Sequence, residues 1–319
     1  MEKLVFEYNS ADQIHKIHAV RYMPDNKPAA VLQIAHGMNE FFERYEPFCK
    51  FLAKNGICVV GNDHLGHGKS VASNDELGYF ADKDGAAILI KDMHSLRLGV
   101  TKEMKELYNE DIPVFMMGHS FGSLLTRKYL TYYSEGLCGA ILSGTVFKPL
   151  IISELALLFT KIAAKENGGD RYRSEFINNL SVGSYAKAFK DENIKNAWLT
   201  RDVEVVKAYN ADYRCNFIFT CGAYKDMFML LNDIDTKTGA NGINPDLKIR
   251  VMSGSCDVAN EMGKASRRLL KQLKKQGLQN VSFKEYKDMR HETLNEIGKE
   301  EVWNDVLVFI NESVTSCTP

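Results

Sequence analysis

The chain has 319 residues, 45% hydrophobic and 25% charged, with 40 basic against 41 acidic side chains and a net charge of -1. That balance excludes a disordered, collagenous or coiled-coil chain, and a chain this long buries a sizeable core without staples. A near-neutral sequence also lacks the clustered basic face that phosphates demand, so no nucleic-acid partner is expected.

The run Met1 to Tyr8 alternates like a strand and lacks the long apolar core of a signal peptide. Two antiparallel strands are predicted first, Leu4 to Tyr8 and Ile14 to Tyr22, ending at the turn Pro24-Asp25-Asn26. From Ala29 onward, short apolar runs alternate with helical periodicity, the pattern of a largely parallel sheet covered by helices on both faces. Buried strands are predicted at Ala30 to Ala35, Ile57 to Asn62, Val114 to Gly118, Ala140 to Ser143, Ile249 to Ser253 and Val281 to Tyr286. The clearest helix carries Leu89, Met93, Leu96, Val100, Met104 and Leu107 on one stripe; the last carries Val302, Trp303, Val306, Leu307 and Ile310.

The stretch between Ser143 and Ile249 far exceeds the roughly 12 residues a crossover needs. Residues 146–224 are read as an inserted cap and Lys225 to Ile234 as the return helix, leaving residues 1–145 and 225–319 as the core. Such an insert lies over the carboxyl ends of the parallel strands, where ligands bind in open α/β sheets. Leu150, Ile151, Leu155, Leu158, Phe159 and Ile162 form an apolar helix face in the cap. Packing on the core is the expected use of that face, with an acyl tunnel or a lipid surface as alternatives. The run contains Ser153, Glu154, Thr160 and Lys161 and falls short of the roughly 20 apolar residues that span a bilayer.

Gly118-His119-Ser120-Phe121-Gly122 follows a predicted strand and opens a helix. A G-x-S-x-G in that setting is a nucleophile elbow, whose tight turn thrusts the serine hydroxyl outward while the glycines clear the neighbouring chain. The bland alternative is a glycine turn with Ser120 as a helix cap. A serine hydroxyl needs a base, and in this architecture the order is Ser, acid, His. Only one of the eight histidines, His291, lies after Ser120. Asp257, in the loop after the strand ending at Ser253, is the expected acid; Asp226, Asp233, Glu261 and Asp288 are rivals that do not directly follow a strand. The backbone N–H groups of Met38, in the turn Ala35-His36-Gly37-Met38, and of Phe121 are the expected oxyanion donors. Asp63, His64 and His67 sit in a glycine-rich turn without a third ligand at a recognised spacing, so a structural loop is preferred and no metal is expected. The seven cysteines are odd in number and scattered, and read as reduced thiols in a cytoplasmic protein.

His36-Gly37 with Glu40, Arg44 and Tyr45, then Asp63-His64-x-Gly66-His67-Gly68-x-Ser70, the Ser120 motif, and Arg290-His291-Glu292 with Asn295-Glu296 resemble one family. It is the monoacylglycerol lipase and bacterial lysophospholipase group of α/β hydrolases, and the likeness spans nearly the whole chain. In the cap, Tyr172-Arg173-Ser174 and Leu180-Ser181-x-Gly183-Ser184-Tyr185 are closer to the bacterial lysophospholipase-like members. The resemblance implies an α/β-hydrolase fold, with a mostly parallel eight-stranded sheet, and puts Ser120, Asp257 and His291 at the triad positions, with Met38 and Phe121 as oxyanion donors. Asp257-Val258-Ala259-Asn260 departs from the Asp-Pro-Val of many members.

The implied reaction is hydrolysis of a lipid-like carboxylic ester, a monoacylglycerol or lysophospholipid, through an acyl-enzyme and without a cofactor. A peptidase, an amidase or a general carboxylesterase would use the same triad, and a non-catalytic binding module is the remaining alternative. Phe41, Phe42, Phe147, Phe159, Tyr185 and Phe228 are the candidate pocket aromatics. A transient contact between the cap and a membrane surface is the other expected partnership, placing the protein at the membrane periphery.

Overall fold

Residues 1–315 and 317 are described in the structure, a computed structural model. Its strands are β1 (Glu2–Asn9), β2 (Lys16–Met23), β3 (Ala30–Ala35), β4 (Ile57–Asn62), β5 (Val114–His119), β6 (Gly139–Ser143), β7 (Ile249–Gly254) and β8 (Val281–Tyr286). Among the described residues they form one eight-stranded sheet in the order β1-β2-β4-β3-β5-β6-β7-β8. β2 is antiparallel to both β1 and β4, and every other pairing is parallel. This is the α/β-hydrolase fold that the resemblance implies.

The helices are α1 (Glu46–Lys54), α2 (Gly85–Tyr108), α3 (Phe121–Tyr133), α4 (Leu150–Glu166), α5 (Glu175–Asn178), α6 (Val203–Ala211), α7 (Cys221–Ile234), α8 (Lys264–Lys275) and α9 (Lys299–Val314). Strand alternation divides the core into two layers. Val31, Cys58, Val60, Val114 and Met116 face the layer covered by α2, α3, α7 and α8. Leu32, Ile34, Val59, Phe115 and Met117 face the layer covered by α1 and α9. The α2 stripe is buried from Leu89 to Met104, whereas Leu107 is exposed. The return helix α7 starts one turn before Lys225 because the Thr220 hydroxyl accepts the Ala223 N–H and caps it.

Between β6 and α7 the chain makes a helical excursion over the carboxyl edge of the sheet. Here α4 is inverted relative to expectation. Its buried residues are Ser153, Thr160 and Ala164, while Leu150, Ile151, Leu155, Leu158, Phe159 and Ile162 are exposed. Small side chains let α4 approach α7 closely, and Thr160 satisfies its hydroxyl on the Ala156 carbonyl. The larger apolar side chains are left outward.

The cysteines need a correction too. Cys138 and Cys317 form a disulfide with Cα atoms 5.4 Å apart across a sequence separation of 179. Parity hides a single bridge when the remaining thiols, Cys49, Cys58, Cys215, Cys221 and Cys256, are themselves odd in number. The bond forms because the segment after α9 returns to the foot of β6. Disulfides persist in oxidising compartments, so the cysteines give no support to a reducing one. Among the described residues no helix is long and apolar enough to cross a membrane.

Candidate active site

Ser120 sits between β5 and α3 with φ 52° and ψ -118°, a left-handed conformation that a non-glycine residue holds only under constraint. A side chain at Gly122 would strike the carbonyl oxygens of Ala35 and His36, and one at Gly118 would strike Gly122 and Thr126. Both glycines therefore serve close packing of the elbow against β3 and α3. Ser120 Oγ is 2.9 Å from His291 Nε2. On the far side of the ring, His291 Nδ1 is 2.9 Å from each oxygen of Asp257. Asp257 is fully buried, and its Oδ1 also accepts the N–H groups of Ala259 and Asn260 at 2.9 and 3.2 Å. A proton on Nδ1 donated to Asp257 leaves Nε2 free to accept the serine hydroxyl. The Asp257-Val258-Ala259-Asn260 loop thus fixes its carboxylate through its own backbone.

The rival acids lie elsewhere. Glu261 is paired with Lys148 and Arg268, Asp233 with Lys128, and Asp288 is exposed. Asp226 stands against Gly85 at the start of α2, where burial pushes its pKa up to about 6.

Met38 and Phe121 line the cavity beside Ser120. The turn that carries Met38 is held from behind. Gly37 N–H donates to Glu40 Oε1 at 2.5 Å, and the Tyr45 hydroxyl donates to the same oxygen at 2.8 Å. His36 donates from Nδ1 to the Gly37 carbonyl at 2.8 Å and accepts the His64 N–H on Nε2 at 2.9 Å. The Asp63 turn is spent on structure as well, its carboxylate accepting the N–H groups of Phe42 and Lys69 at 2.9 and 2.8 Å.

An ion cluster missed in the sequence joins the two loops of the site. Arg44 donates to Glu40 at 2.6 Å and to both oxygens of Glu292, the neighbour of His291, at 2.7 and 2.6 Å. Burial works against the charged form of Glu292, yet Arg44 holds its pKa down to about 2. Burial raises the pKa of Glu40 in spite of Arg44. His119, the residue before the serine, is buried against His291 with its pKa lowered to about 3 by burial and by that neighbour, which leaves it neutral. Its members stand in the motifs Glu40-x-x-x-Arg44-Tyr45 and His291-Glu292, but nothing in the sequence pairs the two.

Above the serine lies a cavity of about 720 Å³, roofed by the helical excursion. Among the predicted aromatics, Tyr185 and Phe228 line it. The others do not. Phe42 is packed into the α1 and α9 layer, Phe41 stacks under Arg214, Phe147 lies between Arg127 and Arg268, and Phe159 meets Phe176 on the outer face of α4. The Phe42 N–H donates to Asp63 Oδ1 at 2.9 Å, which fixes the backbone at Phe42 as its ring enters the core.

Residues 26–298 match the family model described as serine aminopeptidase, S33. Human monoglyceride lipase is 25% identical over 195 residues, which cover 60% of this chain and 54% of that protein. The monoacylglycerol lipase of Mycolicibacterium smegmatis is 24% identical over 192 residues, covering 60% and 58%. The match thus spans little more than half the length of these curated relatives. Among solved structures, a thermostable carboxyl esterase from Bacillus coagulans, in complex with glycerol, superimposes with a TM-score of 0.88 at 26% identity, covering 98% of this chain and 99% of that one. An elbow serine within reach of a carboxylate-bound histidine, on this sheet and with this match along most of its length, identifies the chain as a member of the serine aminopeptidase S33 family of α/β hydrolases.

Proposed function

We propose that the protein is a serine hydrolase of lipid-like carboxylic esters, with Ser120 as nucleophile, His291 as base, Asp257 as acid, and the Met38 and Phe121 N–H groups as oxyanion donors. The observation that carries this reading is the continuous Ser120, His291, Asp257 hydrogen-bond chain at the floor of a roofed cavity. Ser120 attacks the ester carbonyl as its proton passes to His291 Nε2; the base returns the proton to the leaving alcohol, and water then releases the acid by the same route. Asp257 stabilises the imidazolium formed in each half-reaction.

Ile152, Ala156, Leu180, Val182, Met227 and Phe228 give the cavity an apolar wall suited to an acyl chain. Residues 146–224 act as a cap over the remaining core. Ile152 both lines the cavity and is exposed, which joins the acyl wall to the outward face of α4. That continuity supports a transient contact with a lipid surface, from which substrate enters. The resemblance to monoglyceride lipases and a carboxyl esterase supports an ester over an amide. The test is a panel of long-chain monoacylglycerols, lysophospholipids, short p-nitrophenyl esters and aminoacyl anilides compared by kcat/KM. Long-chain esters are expected to lead; turnover of the anilides alone would overturn the reading.

A pH profile checks the base. Burial disfavours the charged ring of His291, but Asp257, followed by Glu292 and Glu40, outweighs it and raises the pKa above the ordinary 6.5. Since the base acts in its neutral form, kcat/KM is expected to fall as pH drops through that raised value, with the acid limb centred above pH 6.5. A limb centred well below it would contradict the assignment.

A further inference from the structure

His291 packs against two rings. The core supplies His119, with centroids 4.8 Å apart, and the cap supplies Trp198, with centroids 4.9 Å apart and planes at 44°. Tyr185 packs against Trp198 with centroids 5.0 Å apart, and both rings line the cavity. The backbone around the indole is fastened to the residues flanking His291. Glu292 N–H donates to the Leu199 carbonyl at 2.7 Å, and Arg290 donates to the carbonyls of Ala197 and Thr200 at 2.6 and 3.4 Å. Arg201 donates to the fully buried carboxylate of Glu296 from its backbone N–H and from Nε, each at 3.0 Å. Ala197, Leu199 and Thr200 are buried, whereas the exposed helix α4 belongs to the same excursion.

We propose that Trp198 is a positioning residue for His291, and that residues 197–201 are a fixed strap of the base rather than part of a moving roof. The proposal rests on the reading of Ser120, His291 and Asp257 as a triad. An imidazole turns easily about its terminal torsion, and two rings packed against it resist that rotation and keep it on the line between Ser120 and Asp257. When the ring takes up the serine proton, the indole face also attracts the cation. The polar groups that meet His291 are Asp257 from the loop after β7 and Ser120 and the neutral His119 from the elbow, while Glu40 from the turn after β3 and Glu292 on its own loop act on it by charge. Trp198 adds no charge to this set, so it acts by shape and by its π face.

The test uses p-nitrophenyl acetate, whose acyl group is too small to need the cavity wall. Trp198→Leu keeps apolar bulk so that the strap still folds, but removes the flat face; Trp198→Phe retains one. Trp198→Leu is expected to lower kcat about tenfold while KM moves less than about twofold, and Trp198→Phe to restore most of the loss. The low-field proton resonance of His291 Nδ1–H should broaden in the leucine variant and stay sharp in the phenylalanine variant. An unchanged kcat and resonance in Trp198→Leu, or a loss confined to KM, overturns the proposal. A fluorophosphonate probe separates the two readings: labelled Ser120 with an indifferent leucine variant sinks the strap alone, and an unlabelled parent protein sinks both.

Discussion

Ser120→Ala is expected to reduce kcat on p-nitrophenyl esters by about 10⁶-fold, because nucleophile and base act as a unit and little is left once one is gone. The fold is expected to survive. The left-handed backbone at Ser120 is fixed by packing around Gly118 and Gly122, and alanine meets the same steric demand as serine there. Alanine forgoes the 2.9 Å hydrogen bond to His291 Nε2, worth about 1 kcal/mol. Turnover and thermal melting measured on the same preparation decide the matter: full activity in a folded Ser120→Ala protein excludes Ser120 as nucleophile.

Arg44→Met carries the second large effect, on stability as well as rate. It leaves Glu40 and Glu292, whose side chains are 3% and 4% exposed, facing each other without their cation. Removing one partner of a buried ionic cluster costs about 3–5 kcal/mol, and urea unfolding at neutral pH should show a drop of that size. Lysine is not expected to rescue it, since a single ammonium cannot replace the fork that grips both oxygens of Glu292. The sign with pH follows from Glu292, whose folded pKa is held down to about 2 against an ordinary 4.5. Its stabilising contribution is present above the unfolded value and is lost as pH falls toward 2. The gap between parent and variant should therefore narrow in acid; a gap that widens there would refute the account. Activity should drop too, because Glu40 anchors the turn of Met38 while Glu292 adjoins His291.

The strands were legible because a buried parallel strand leaves an apolar run in the chain, as Ile57 to Asn62 and Val114 to His119 do. The elbow was legible because close packing admits only glycine on either side of Ser120, and chain order left one histidine to meet it. What the sequence could not convey is which surface covers a given face. Periodicity marks the apolar side of α4 but not that Ser153 and Thr160 would be the side buried against α7. Phe41 and Phe42 read as pocket aromatics until two partners from distant segments claim them, Arg214 over the Phe41 ring and the Asp63 carboxylate on the Phe42 N–H. Trp198 gave no signal because its value lies in meeting His291 across the fold.

The bond between Cys138 and Cys317 makes the second half of the chain a covalent ring. The ring encloses the whole excursion over the cavity together with Asp257 and His291, while Ser120 stands outside it, between β5 and α3. A proteolytic nick in the roof therefore opens the ring without releasing a fragment, and the two pieces part only when the sulfur bridge is reduced.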